Sequence, residues 1–117
     1  MAKILIVDDD SDILTVASML LKMNGFDVET IDTGAKAIEG VISTKPDIVL
    51  LDVNLAGEDG RQICKYLKNN INTQSIPVVL FSANHEIDKS YFDCGADGFI
   101  AKPFETMEFI ATLKKYV

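Results

Sequence analysis

The chain has 117 residues, 48% of them hydrophobic, with 18 acidic and 11 basic side chains and a net charge of −7. That length suits one domain able to bury a core without metal or disulfide staples, and the apolar content excludes disorder. The acidic balance offers no basic face for nucleic acid. The short apolar N-terminal stretch runs into three aspartates, which fits neither a signal peptide nor a membrane span. The chain therefore reads as cytoplasmic, without direct nucleic-acid or membrane contact. Cys64 and Cys94 fall in different expected helices, lack metal-like spacing, and read as reduced thiols filling space.

Lys3 to Val7 is an aliphatic run that reads as a first strand and ends in Asp8-Asp9-Asp10. Ser11 is placed to cap a helix from about Asp12 to Asn24. Ile13, Ala17, Leu20 and Leu21 make its apolar face, and Gly25 is its stop. Phe26 to Ile31 reads as a second, more exposed strand. Thr33 is placed to cap a helix bearing Ile38, Val41 and Ile42, which Lys45-Pro46 ends, because a residue before proline avoids the α region. Asp47 to Leu51 is the third strand and ends in Asp52. After the loop Asn54 to Gly57, a third helix starts near Glu58 and bears Ile63 and Leu67. The polar stretch Asn69 to Ser75 returns to a fourth strand, Ile76 to Phe81, which ends in Ser82. A short fourth helix spans about Glu86 to Asp93. Gly98 to Ala101 is the fifth strand and ends in Lys102-Pro103. Phe104 opens the last helix, with Phe109, Leu113 and Val117 on one side. Lys114 and Lys115 lie in its last turn, where cations suit the helix dipole.

Strands alternating with helices imply βαβ units, right-handed crossovers and a parallel sheet. Near-continuous aliphatic strands imply that both faces are covered. The expected fold is α/β, a doubly wound five-stranded parallel sheet of order 2-1-3-4-5. Ligands in such sheets bind outside the carboxyl ends of the strands. The four strands that neighbour one another in this order end in Asp8-Asp9, Asp52, Ser82 and Lys102. Strand 2, at the edge, ends only in Ile31-Asp32.

Asp8, Asp9 and Asp52 should therefore meet between strands 1 and 3. Carboxylates about 5 Å apart repel by roughly 3 kcal/mol per pair at an effective dielectric near 20. Protons or a cation must relieve them, and an open cluster of hard oxygen ligands suits Mg²⁺. Asp52 is the candidate nucleophile, since a carboxylate can attack phosphorus to give an aspartyl phosphate. Lys102 and a cation would neutralise the phosphoryl oxygens, and the Ser82 hydroxyl can donate to one of them. Asp10 reads as a helix cap rather than a ligand. His85, the only histidine, sits in the loop after Ser82 and is not read as a phosphoryl relay.

Val7-Asp8-Asp9, Leu51-Asp52, Asp59-Gly60, Ser82-Ala83, Gly95-Ala96-Asp97 and Lys102-Pro103-Phe104, in this order, resemble the signature of two-component response-regulator receiver domains. The match covers essentially the whole chain. It implies one receiver domain over residues 1–117 with a flavodoxin-like (βα)5 fold. It implies Asp52 as phosphoacceptor and Asp8 and Asp9 as the acidic pair around Mg²⁺. The backbone carbonyl of Asn54 would complete the metal shell. Ser82 and Lys102 match the family's hydroxyl and lysine, Phe99 matches its switch aromatic, and Lys102-Pro103 would hold a cis bond. The implied function is a signalling switch. A sensor histidine kinase or a histidine phosphotransfer protein would phosphorylate Asp52, and an output protein, not named by the sequence, would read the population shift. Such a domain is no enzyme beyond its own phosphorylation and dephosphorylation.

The chain departs from the family pattern at three places. Ala56 stands where many members have proline, which would leave the loop after Asp52 less stiff. Phe99 replaces the common tyrosine and has no hydroxyl. The stretch from Ser82 to Gly95 is about two residues shorter than usual, so the helix 4 region should be shortened. That region belongs to the family's output face, for which Tyr91, Phe92 and Phe104 are candidate contacts. The start at Met1-Ala2-Lys3 and the end soon after the last helix fit a single-domain regulator, although an excised receiver would look the same.

Two other classes share parts of this pattern. A phosphohydrolase of haloacid-dehalogenase type also uses a strand-end aspartate, Mg²⁺ and a lysine. It places Asp-x-Asp after its first strand and needs a substrate cap, whereas here Asp52-Val53-Asn54 follows the third strand. A flavodoxin-like electron carrier needs a Ser/Thr/Gly-rich phosphate cradle after strand 1, where this chain has aspartates.

Overall fold

A computed structural model describes residues 2–82, 93–102 and 104–117. His85, Tyr91, Phe92, the expected fourth helix up to its end at Asp93, and the Lys102-Pro103 bond lie outside the described residues. In chain order the elements are β1 (Lys3–Val7), α1 (Ser11–Met23), β2 (Asp27–Ile31), α2 (Ala37–Thr44), β3 (Ile48–Asp52), the short β4 (Asn54–Leu55) and β5 (Glu58–Asp59), α3 (Gly60–Lys68), β6 (Val78–Ser82), β7 (Gly98–Ala101) and a C-terminal helix (Thr106–Lys114).

The five long strands form one parallel sheet of order β2-β1-β3-β6-β7. Counting those five alone, this is the expected order 2-1-3-4-5. Alternation along each strand feeds two core layers. Leu5, Val7, Val49, Leu51 and Leu80 pack with Val41, Ile63 and Leu67 on one face. Ile4, Ile6, Leu50, Val79 and Phe81 pack with Leu21, Phe109 and Leu113 on the other. Every residue of β3 and β6 is buried, whereas β2 at the edge is largely exposed. Full burial of one such Leu or Ile contributes about 1.5–3 kcal/mol, so the central strands are the rigid floor of whatever sits at their ends.

Several helix starts differ from the sequence-based expectation. Asp10, not Ser11, caps α1; its Oδ1 accepts the Asp12 and Ile13 N–H groups at 2.9 and 3.3 Å. A carboxylate at that end also complements the helix dipole. Thr33 makes no side-chain cap bond, and a 3₁₀ turn at Gly34–Lys36 precedes α2. α3 begins at Gly60 rather than near Glu58, because Glu58 and Asp59 first pair with Leu55 and Asn54 in a two-stranded hairpin. Asp59 then caps the helix through the Arg61 N–H at 2.9 Å. The C-terminal helix begins at Thr106, two residues after the expected start at Phe104, because Glu105 caps it by accepting the Met107 and Glu108 N–H groups.

α3 is hooked to the approach to β7. Lys68 Nζ lies 2.6 Å from Asp97 Oδ2 and donates to the Ile76 carbonyl at 2.8 Å. Asp97 Oδ2 also accepts the Val78 N–H at 2.9 Å. A Lys68→Met variant keeps the aliphatic stem and leaves these acceptors without their cation. It is expected to lose about 1–3 kcal/mol, read as a lower urea midpoint, with the acidic cluster described below unaltered.

Candidate functional site

Four polar or charged residues are buried among the described residues, and three of them, Asp8, Asp52 and Ser82, lie at one edge of the sheet. Buried polar groups away from solvent need a partner or a purpose. Asp8 follows the end of β1, Asp52 closes β3, Ser82 closes β6, and Lys102 follows β7. The register explains the convergence: Val7 pairs with Leu51, Asp52 with Phe81, and Ser82 with Ala101. β3 and β6 each run one residue further than the aliphatic pattern suggests, so Asp52 and Ser82 are ladder residues, held by the sheet.

Oxygen atoms of Asp8, Asp9 and Asp52 lie within 4.8 Å of one another. Lys102 Nζ is 2.7 Å from Asp8 Oδ2 and 3.4 Å from Asp52 Oδ2, and sits 4.8 Å from the centre of the Phe81 ring. The lysine thus leans first on Asp8. The Lys102 N–H also donates to the Ser82 carbonyl at 2.9 Å, which ties the two strand ends together. Backbone donors hold each carboxylate: Asp8 Oδ1 accepts from the Asp10 N–H at 2.9 Å, and Asp52 Oδ1 from the Asn54 N–H at 3.2 Å.

Asp9 is exposed and reaches over the rim, where its Oδ2 accepts the Ala56 N–H at 2.9 Å. The loop expected to be less stiff is therefore a closed hairpin: β4 and β5 pair across Ala56-Gly57, and Gly57 takes φ +76°. A proline at position 56 would lack the N–H that Asp9 uses.

Gly60 is the site residue to which the sequence reading assigned no role, although Asp59-Gly60 was among its motifs. A Cβ there would collide with the backbone carbonyl of Asp52. The Gly60 N–H donates to the Val53 carbonyl at 2.7 Å. The start of α3 thus lies directly against the peptide that carries Asp52. In the sequence Phe81 is only the last apolar residue of its strand, yet its ring supports Lys102.

Phe99 is half-buried on β7 and packs against the core layer of α2 and α3. Phe104 is also half-buried; it stacks on Phe109 with ring centroids 4.3 Å apart and tilts against Phe81 at 5.7 Å. Phe104 is thus mainly a member of an aromatic core cluster, not a free surface contact.

Burial and the neighbouring charge of Asp8 push the Asp52 carboxyl up to about 6, against the pull of Lys102 and the Asn54 N–H. In the unfolded chain the same group ionises near pH 4. The folded state therefore holds a proton that the unfolded state has lost. The stability contributed by the protonated carboxyl is complete below about pH 4 and declines as pH rises to about 6. Asp59 works the other way, because its hydrogen bond to Arg61 holds it below the usual carboxylate range. Comparing wild type with Asp52→Asn in chelator-containing buffer isolates the Asp52 contribution. The gap in urea midpoint is expected to widen in favour of Asp52→Asn from pH 4 to pH 6.

A doubly wound sheet with buried aspartates and a lysine at its carboxyl edge defines a class of phosphoryl-chemistry domains. The chain matches the response regulator receiver domain family over residues 4–114 and belongs to it. It is similar to the chemotaxis response regulator CheY4 of Vibrio cholerae, at 27% identity and a TM-score of 0.92, covering 100% of this chain and 99% of that one. It is also similar to the receiver domain of a signal transduction histidine kinase from Syntrophus aciditrophicus, at 28% identity and a TM-score of 0.90, with coverage of 99% and 89%. The receiver domain of the Pseudomonas aeruginosa sensor histidine kinase PA1611 shares the fold at 24% identity and a TM-score of 0.89, covering 98% and 96%; that structure has a magnesium ion in its active-site cleft. The chain is accordingly a signalling domain of two-component systems. No helix among the described residues is long and apolar enough to cross a membrane.

Proposed function

We propose that this domain accepts a phosphoryl group on Asp52 from a phosphohistidine of a sensor kinase or a histidine phosphotransfer protein, and that the phosphorylated form changes its binding to an output protein. The observation that carries this reading is the placement of Asp52 beside Asp8, Asp9 and Lys102 on rigid strand ends.

The donor set suits a divalent cation: three carboxylates against one lysine leave two negative charges in a half-enclosed cluster. Asp8, Asp9 and Asp52 would hold Mg²⁺, with the Asn54 backbone carbonyl as a further ligand. When bound, the ion supplies positive charge to the phosphoryl oxygens. An Asp52 oxygen attacks phosphorus; its O–P bond forms as the N–P bond of the phosphohistidine breaks, and the imidazole leaves neutral after taking up a proton. The Lys102 ammonium, already 3.4 Å from Asp52, offers donors to a phosphoryl oxygen. Ser82 closes β6, the strand paired with β3, and would donate its hydroxyl to another. Phe99, on the strand paired with β6, would follow the shift of Ser82, which is how occupancy at Asp52 would reach the surface.

Intact mass after incubation with a small phosphodonor tests this. One added phosphoryl group that requires Mg²⁺ is expected. Unchanged mass in the presence of both would refute it. Turnover of a generic phosphate ester would instead favour the phosphohydrolase reading.

A further inference from the structure

Cys64 on α3 and Cys94, four residues before β7, meet in the core layer beneath α2 and α3. They are 30 positions apart, yet the Cys64 thiol donates to the Cys94 carbonyl oxygen at 3.5 Å. Their exposures differ in a useful way. Cys64 is fully buried, whereas Cys94 is 7% exposed and lines a surface pocket of about 230 Å³ with Asp59, Arg61, Lys65 and Asp93. The Lys68–Asp97 ion pair pins the same segment to α3, so the two cysteines are held together by contacts independent of sulfur.

We propose that Cys94 and Cys64 form a reversible disulfide, with Cys94 the thiol that peroxide oxidises and Cys64 the thiol that resolves it. The Cys94 sulfur attacks one peroxide oxygen; an S–O bond forms, the O–O bond breaks, and water leaves. The Cys64 sulfur then attacks the Cys94 sulfenic acid. The S–S bond forms, the S–O bond breaks, and the departing hydroxide takes the Cys64 proton as a second water. Two thiols and one peroxide thus give one disulfide and two waters. Burial and the Cys94 side chain push the Cys64 thiol far up, so Cys64 is unsuited to first attack. Its place beside Cys94, with the sulfur 3.5 Å from the Cys94 carbonyl oxygen, is what suits it to the second step. The bridge would tie α3 to the chain that leads into β7, and so to Phe99 and Lys102.

The test is non-reducing intact mass and peptide mapping of the native protein after brief treatment with hydrogen peroxide. A loss of about 2 Da, with residues 64 and 94 in one cross-linked peptide, is expected. Cys64→Ala should stop at the sulfenic acid, a gain of about 16 Da that a sulfenic-acid trap captures. Cys94→Ala should react at least about 10-fold more slowly. A wild-type protein that stays reduced, cross-links only between molecules, or forms the bridge as fast in urea as when folded would overturn the proposal. Asp52→Asn should lose the same mass, which separates this outcome from that of the phosphoryl reading.

Discussion

Asp52→Asn is expected to fold, to melt higher than wild type in metal-free buffer at neutral pH, and to gain no mass from a phosphodonor with Mg²⁺. All three results follow from the same atoms. Asn keeps an Oδ1 that can accept the Asn54 N–H, as Asp52 does at 3.2 Å. Lys102 keeps its closer partner Asp8 at 2.7 Å, so no buried cation is stranded. What disappears is a buried carboxylate whose ionised form the fold disfavours, with its proton held to about pH 6. At pH 7 that ionisation costs the metal-free wild type on the order of 2–3 kcal/mol, so the variant's midpoint should rise by several degrees. An amide is no nucleophile toward phosphorus, so acceptance should fall below detection. Added Mg²⁺ should stabilise the wild type and scarcely move the variant, because the carboxylate it would neutralise is gone. A variant that still gained one phosphoryl group would move the acceptor to another residue.

Gly60→Ala is expected to be the most damaging single-methyl change near the site. The added Cβ meets the Asp52 carbonyl and the Val53 Cα, both backbone atoms that cannot rotate away. Either α3 backs off, breaking the 2.7 Å bond from the Gly60 N–H to the Val53 carbonyl, or the end of β3 shifts and carries Asp52 with it. A loss of about 2–4 kcal/mol is expected, on the order of 10 °C in melting temperature. Phosphoryl acceptance per folded molecule should fall as well, since displacing a nucleophile by about 1 Å can lower a rate about 100-fold. The control is Gly57→Ala. Gly57 has open space around its Cβ position but a φ of +76°, so Ala there strains only the hairpin turn. If both glycines responded alike, backbone strain rather than contact with Asp52 would be the cause.

The strand ends show why so much of the site could be read in one dimension. An aliphatic run followed by Asp8-Asp9, Asp52, Ser82 or Lys102 is visible without coordinates, and strand–helix alternation restricts the topology to few choices. The helix starts were less legible. Glu58 and Asp59 look like a helical first turn until Asn54 and Leu55 are seen to pair with them. Phe104 looks like the first residue of a helix until Glu105 is seen to cap it. In each case a local pattern was compatible with two backbones, and a partner distant or adjacent in the chain chose between them.

The sequence by itself determined the class of fold, the strand order and the residue types gathered at one edge, because near-continuous aliphatic runs, strand–helix alternation and the polar strand ends are written in residue order. Only the tertiary structure decided how those residues divide their interactions. That Lys102 pairs more closely with Asp8 than with Asp52, that Asp9 is held by the Ala56 N–H, that Gly60 abuts the Asp52 carbonyl, and that Cys64 reaches Cys94 are all contacts between segments far apart in the chain or joined by a turn. Their distances depend on sheet register and helix seating, and no periodicity in a single strand or helix encodes them.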